Sequence, residues 1–232
     1  MKTIWHSIAI LATSVISLTV VSPSWSEDKT YTLSYSSGTL FHELVRDRIK
    51  VVYERAGLKA NFVALPHNRA LMSANDGTID GDVGRIASTV EKYSNLVRLN
   101  VKVMDLNGAV YTTRDDIAAY DDSILTKSRV GYILGVRWTE DKMKGLEATV
   151  VQTYPALFDL LLDNRVDVIL TTEESAEPII KSLGDRAAPI RKLQPFAYTA
   201  PIYHLLNKKN ADIIPRLENA LTALQKEGYW KD

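Results

Sequence analysis

From Tyr31 onward the chain alternates short β-branched and aromatic runs with stretches whose apolar residues recur every three or four positions. This alternation narrows the fold more than any other feature, because strands and helices taking turns build α/β units with parallel sheet connections. Residues 31–35 read as a strand. Leu40, Phe41, Leu44, Val45, Ile49 and Val52 then share one face of a helix that Gly57 stops. Residues 61–65 form a second strand ended by Pro66, residues 69–74 a short helix, and residues 80–85 a third strand. A second unit begins near Ser128, with strands over 129–134, 149–152 and 166–171 and helices over 139–146, 154–163 and 176–183. A strand at 190–193, an aromatic crossing with Phe196 and Tyr198, a strand at 202–206 and a closing helix over 213–227 complete the chain.

The two units echo each other at an offset of 87 residues, where Leu71 matches Phe158, Gly77 matches Asn164, Ile79 matches Val166 and Asp80 matches Asp167. Gly and Asn are the residues that most readily take the left-handed conformation ending a helix. Each unit therefore reads as helix, tight stop, then a β-branched residue and Asp entering a strand, which supports two similar lobes.

Composition excludes several chemistries. With 28 basic and 28 acidic side chains the chain lacks the basic excess that phosphate neutralisation demands, which argues against nucleic acid as a partner. It has no cysteine, so thiolate metal sites, thiol catalysis and disulfides are out. His6, His42, His67 and His204 are the only histidines, and no two stand at metal-ligand spacing. No metal and no cofactor are expected.

The first 26 residues combine a basic start, an apolar run from Ile4 to Val21 and small residues at Ser24 and Ser26. That is the three-part pattern of a cleavable secretory signal, with an uncleaved anchor as the competing reading. The expected location is the periplasm.

Three stretches carry a resemblance. They are Pro66-His67-Asn68-Arg69-Ala70-Leu71 with Gly77-Thr78-Ile79-Asp80-Gly81, Leu160 to Asp163 with Arg165-Val166-Asp167-Val168-Ile169, and the end from Pro215 to Trp230. In their order and spacing the chain resembles bacterial extracellular solute-binding proteins of family 3. The resemblance implies an α/β, two-lobed type II periplasmic binding protein fold with a ligand cleft between the lobes. It places lobe 1 at residues 27–112 plus 198–232 and lobe 2 at 113–197, with crossings near 110–113 and 197–200. It implies capture of a small polar, carboxylate-bearing, amino-acid-like ligand by a monomer, for an inner-membrane transporter or a sensor kinase.

Candidate ligand-binding residues follow. Arg85 ends an apolar strand, where a charge needs an opening or a partner; it either grips a carboxylate through two parallel hydrogen bonds or forms a salt bridge with Asp82 or Glu91. Relatives that bind amino acids carry a carboxylate-gripping Arg further along, where this chain has Lys92. Arg137 and Trp138 lie in a loop opening a helix, where free N–H groups favour an anion, although Thr139 could simply cap that helix. Thr172 stands where those relatives place an Asp for the ligand's amino group, with Glu173 adjacent; the acids Glu173 and Glu174 also suit a helix N-terminus. Ser36, Ser37 and Phe41 occupy the first strand-to-helix turn, Asn68 and Arg69 the cleft edge, and Tyr111 the crossing. Two rivals remain: an enzyme similar to cyclohexadienyl dehydratases, with Glu173 as acid beside Arg85 and Arg137, and a sensory module that traps no ligand.

Overall fold

The computed structural model describes residues 29–230. The secretory-signal reading of residues 1–26 lies outside them, and among the described residues no helix is long and apolar enough to cross a membrane. The first half contains β1 (Thr30–Ser36), α1 (Leu40–Arg55), β2 (Lys59–Leu65), α2 (His67–Asp76) and β3 (Gly81–Ile86). After a 3₁₀ turn come β4 (Leu96–Arg98) and β5 (Met104–Thr112). The second half contains α3 (Ile124–Lys127), β6 (Val130–Ile133), α4 (Arg137–Lys142), β7 (Thr149–Val151), α5 (Tyr154–Leu162), β8 (Val168–Thr172) and α6 (Glu173–Leu183). β9 (Arg191–Asn207) and α7 (Ile214–Lys226) close the chain.

The strands form one curled sheet in the order β2-β1-β3-β9-β5-β8-β6-β7, with β4 paired to β9. β1 runs parallel to β2 and β3, and β6 parallel to β7 and β8. β5 and β9 are antiparallel links between these two parallel sets. Each set has its own core. Leu33, Val45, Ile49, Val52, Leu217 and Leu221 are fully buried in the first, and Leu157, Phe158, Leu161, Val166 and Ile169 in the second. The result is a two-lobed α/β molecule.

The helix-stop echo has a structural counterpart. Gly77 ends α2 at φ +82°, and Asn164 follows α5 at φ +57°, the one non-glycine residue with positive φ among those described. Asp80 and Asp167 then do the same job in each lobe. The Asp80 carboxylate accepts the Thr32 N–H at 2.9 Å while its own N–H donates to the Thr32 carbonyl at 2.8 Å. Asp167 does this with Arg129, at 2.8 Å in both directions. Each Asp thereby locks its strand to the lobe's first strand, and the bonds to Arg129 and Arg114 hold the Asp167 carboxyl well below the usual carboxylate range.

Some boundaries differ from the sequence expectation. The stretch read as strand, crossing and strand over 190–206 is one strand, β9, which pairs with β5 on both sides of an irregularity: residues 191–193 against Val110 to Thr112, and residues 198–202 against Met104 to Gly108. β5 itself was visible in sequence only as a crossing. The helix expected over 139–146 is shorter and starts earlier, at Arg137, and Gly145 at φ +82° follows it. The helix expected from 176 begins at Glu173, capped by Thr172.

Candidate binding cleft

A cavity of about 680 Å³ opens where α1, α2 and β3 of one lobe face α4 and the β8–α6 junction of the other. Such a volume accommodates a small organic ligand. Thr39, Phe41 and His42 reach it from the start of α1, His67 and Asn68 from the start of α2, and Arg85 from β3. Lys92 and Tyr93 follow from the 3₁₀ turn, Arg137 and Trp138 from α4, and Thr172 and Tyr198 from the sheet.

Arg85 is the organising charge on the first lobe. It is 3% exposed and its Nη2 donates to Asp82 Oδ2 at 2.7 Å, in a carboxylate that is wholly buried. The Asp82 carboxylate also accepts from Ser34 Oγ at 2.9 Å and Gly84 N–H at 3.1 Å. Burial pushes its carboxyl above the ordinary range against the pull of Arg85. Arg85 Nη1 donates to Ser36 Oγ at 2.8 Å and meets His42 Nε2 at 2.6 Å. A guanidinium can only donate, so His42 Nε2 accepts, and its Nδ1–H is directed to Thr39 Oγ1 at 2.6 Å. His42 is therefore a neutral ring, and burial, helped by Arg85, lowers its pKa well below 6.5. His67, 3.1 Å from Ser36 Oγ through Nδ1, is held at about 4 by burial and by the charges of Arg85 and Arg137. Arg85 Nε is buried without a partner.

The second lobe presents a different surface. Arg137 is 67% exposed and loosely paired with Asp141 at 3.9 Å. Trp138 is buried and stacks on Tyr198 with centroids 5.9 Å apart and planes 5° apart, and its indole Nε1 has no partner. Gly108 makes that stack possible, since a Cβ there would lie 2.9 Å from the Trp138 ring and 3.0 Å from Tyr198 Cβ. The loop before α4 does not present all its N–H groups to a ligand, because Gly135 N–H donates to Glu140 Oε1 at 2.8 Å. Lys142 lines the cavity while its ammonium reaches Asp122 at 2.7 Å.

Of the residues singled out from sequence, Arg85, Arg137, Trp138, Thr172, Phe41 and Asn68 line the cavity. Ser36 stands behind Arg85 as its hydrogen-bond acceptor. Ser37 is exposed on the turn, its N–H donating to the Leu65 carbonyl, and Arg69 is exposed outside the lining. Glu173 also lies outside it, bonded to Lys192. Tyr111 is buried against Phe158, ring centroids 6.2 Å apart. Sequence reasoning did not single out His42, His67 or Tyr198 as cavity residues. His67 stood inside the quoted Pro66 motif, but its contact with Ser36 crosses 31 residues of chain.

No family model matches the chain. An uncharacterised protein of Shewanella oneidensis is 25% identical over 183 residues, 75% of this chain and 68% of that one. Among solved structures, an ancestral arginine-binding protein bound to glutamine aligns with TM-score 0.63 at 17% identity, over 86% of this chain and 93% of its own. An amino acid ABC transporter substrate-binding protein from Streptococcus pneumoniae bound to L-arginine gives 0.62 at 11% identity, over 86% and 90%. A histidine kinase sensor domain with similarity to periplasmic binding proteins gives 0.65 at 14% identity, over 88% and 93%. The two-lobed architecture is thus the type II periplasmic binding fold.

Proposed function

We propose, from the premise of that fold, that the chain captures a small carboxylate-bearing solute between its lobes and presents it to a membrane transporter or a sensor kinase. The observation that carries the reading is the pairing of guanidiniums from opposite sequence halves, Arg85 and Arg137, around one cavity. Arg85 lines the cavity while bound to Asp82, Ser36 and His42, so a solute meets a guanidinium held in a fixed place. In this proposal lobe 1 comprises residues 27–112 plus 198–232 and lobe 2 residues 113–197, with β5 and β9 as the hinge. Residues 1–26 direct export to the periplasm. An elimination catalyst on the same scaffold needs an acid in the cleft, and Glu173 is instead bonded to Lys192 away from the lining, which favours a binder.

The test is mass spectrometry of small molecules released on denaturing freshly purified protein. A stoichiometric organic acid supports the proposal. Release of a neutral or purely cationic compound would overturn it.

A further inference from the structure

Resting on the carboxylate reading above, we infer that the cleft selects an acid with an aromatic body and no ammonium group, and so rejects zwitterionic amino acids. The charges around the cavity are lopsided. Arg85, Lys92, Arg137 and Lys142 line it, against Asp141 as the one carboxylate among the described lining residues. Asp141 is 70% exposed and already shares its charge with Arg137. Asp82, Asp141 and Asp122 pair with Arg85, Arg137 and Lys142, Glu173 is bonded to Lys192, and Glu174 is half-buried outside the lining, which leaves Lys92 as the lining cation with no ion pair among the described residues.

An α-ammonium group entering this cavity loses water and needs acceptors. Thr172 is a poor one. Its Oγ1 accepts the Ser175 N–H at 3.1 Å and its hydroxyl donates to Ser175 Oγ at 2.8 Å, which leaves one lone pair of a neutral oxygen and no carboxylate for an ammonium group. Both nitrogens of His42 are engaged.

The apolar part of the lining says what else the ligand carries. Phe41, Tyr93, Trp138, Tyr154 and Tyr198 contribute five rings to one cavity. Aromatic faces attract cations as well as other rings. Lys92, the lining cation with no ion pair among the described residues, tips this towards an anionic ligand with an aryl or similarly flat apolar body.

Thermal shift and calorimetry with three molecules of matched size test this, using protein stripped of bound solute by unfolding and refolding. The molecules are 3-phenylpropionate, L-phenylalanine and 2-phenylethylamine. The acid should bind at least about tenfold more tightly than the amino acid, and the amine should not bind. Thr172→Asp keeps a good helix cap while adding a carboxylate to the lining, and should cut the acid's advantage by about tenfold. L-phenylalanine binding as tightly as the acid overturns the inference and leaves the carboxylate reading standing. Amine binding equal to the acid overturns both. Silence from all three overturns the aromatic-acid inference alone, since the compound released on denaturation judges the carboxylate reading separately. An unchanged ratio in Thr172→Asp overturns the explanation by a missing carboxylate.

Discussion

Arg85 combines two roles that the sequence presented as alternatives: it is salt-bridged to Asp82 and it lines the cavity. Asp82→Asn leaves a buried guanidinium without its counter-charge and should cost about 3–5 kcal/mol of stability in urea unfolding. Arg85→Lys keeps a cation for Asp82 but loses the planar fork, so it should stay folded and release its solute. His204 supplies a pH signature. It is fully buried, its Nδ1–H donates to the Asp82 carbonyl at 2.9 Å, and its Nε2 accepts from Tyr53 Oη at 3.1 Å. Burial lowers its pKa to about 4. The unfolded chain protonates this residue first, so its contribution is complete above about pH 6.5 and falls by about 3 kcal/mol as pH drops toward 4. Glu174 works against it, because burial raises its carboxyl to about 7 and stability is lost as pH rises through 4.5 to 7. Comparing His204→Gln with the parent protein isolates the first effect: the stability difference between them should shrink as pH falls from 7 to 5. Arg85 was legible as a candidate because a charge ending an apolar strand asks for a reason. His42 was not, because it sits at a helical position beside Phe41, and its partner is 43 residues away.

At the scale of elements, strong periodicity made α1, α7 and the parallel strands readable, and turn chemistry at Gly77 and Asn164 made the lobe repeat readable. β5 was hidden because Asp105, Asn107 and Gly108 interrupt its apolar pattern. Those residues are tolerated because each pairs with β9, and from Gly108 onward β5 pairs with β8 as well, so pairing outweighs weak strand propensity. Gly108 is a requirement rather than a weakness, since the Trp138–Tyr198 stack occupies the space of its absent Cβ. Gly108→Val should therefore cost about 1–3 kcal/mol by overpacking and displace the stack, read by urea unfolding and by tryptophan fluorescence. Retained stability with unchanged fluorescence would show that the stack does not depend on this glycine.

For the molecule as a whole, the two sides of the cleft differ in how their charges are held. Arg85 is buried and held by three partners, whereas Arg137 is 67% exposed with a loose partner at 3.9 Å. A solute bridging them gains fully from Arg137 only if the second lobe swings in and desolvates it, and closure is favoured only by contacts absent from the open form. β5 and β9 lie side by side between the lobes, so bending both at one level moves a lobe without unpacking either core. Two measurements follow. Solute at a hundredfold over its Kd stabilises by about 2.7 kcal/mol, which for a chain of this size raises Tm by about 5–10 °C. Small-angle scattering should record a smaller radius of gyration with solute bound. Arg137→Ala, altering an exposed group, should leave the empty protein's Tm within about 2 °C yet weaken the solute-driven rise and the compaction together. If compaction persists in that variant, closure is driven by the first lobe and the aromatic wall, and Arg137 is a bystander at the rim.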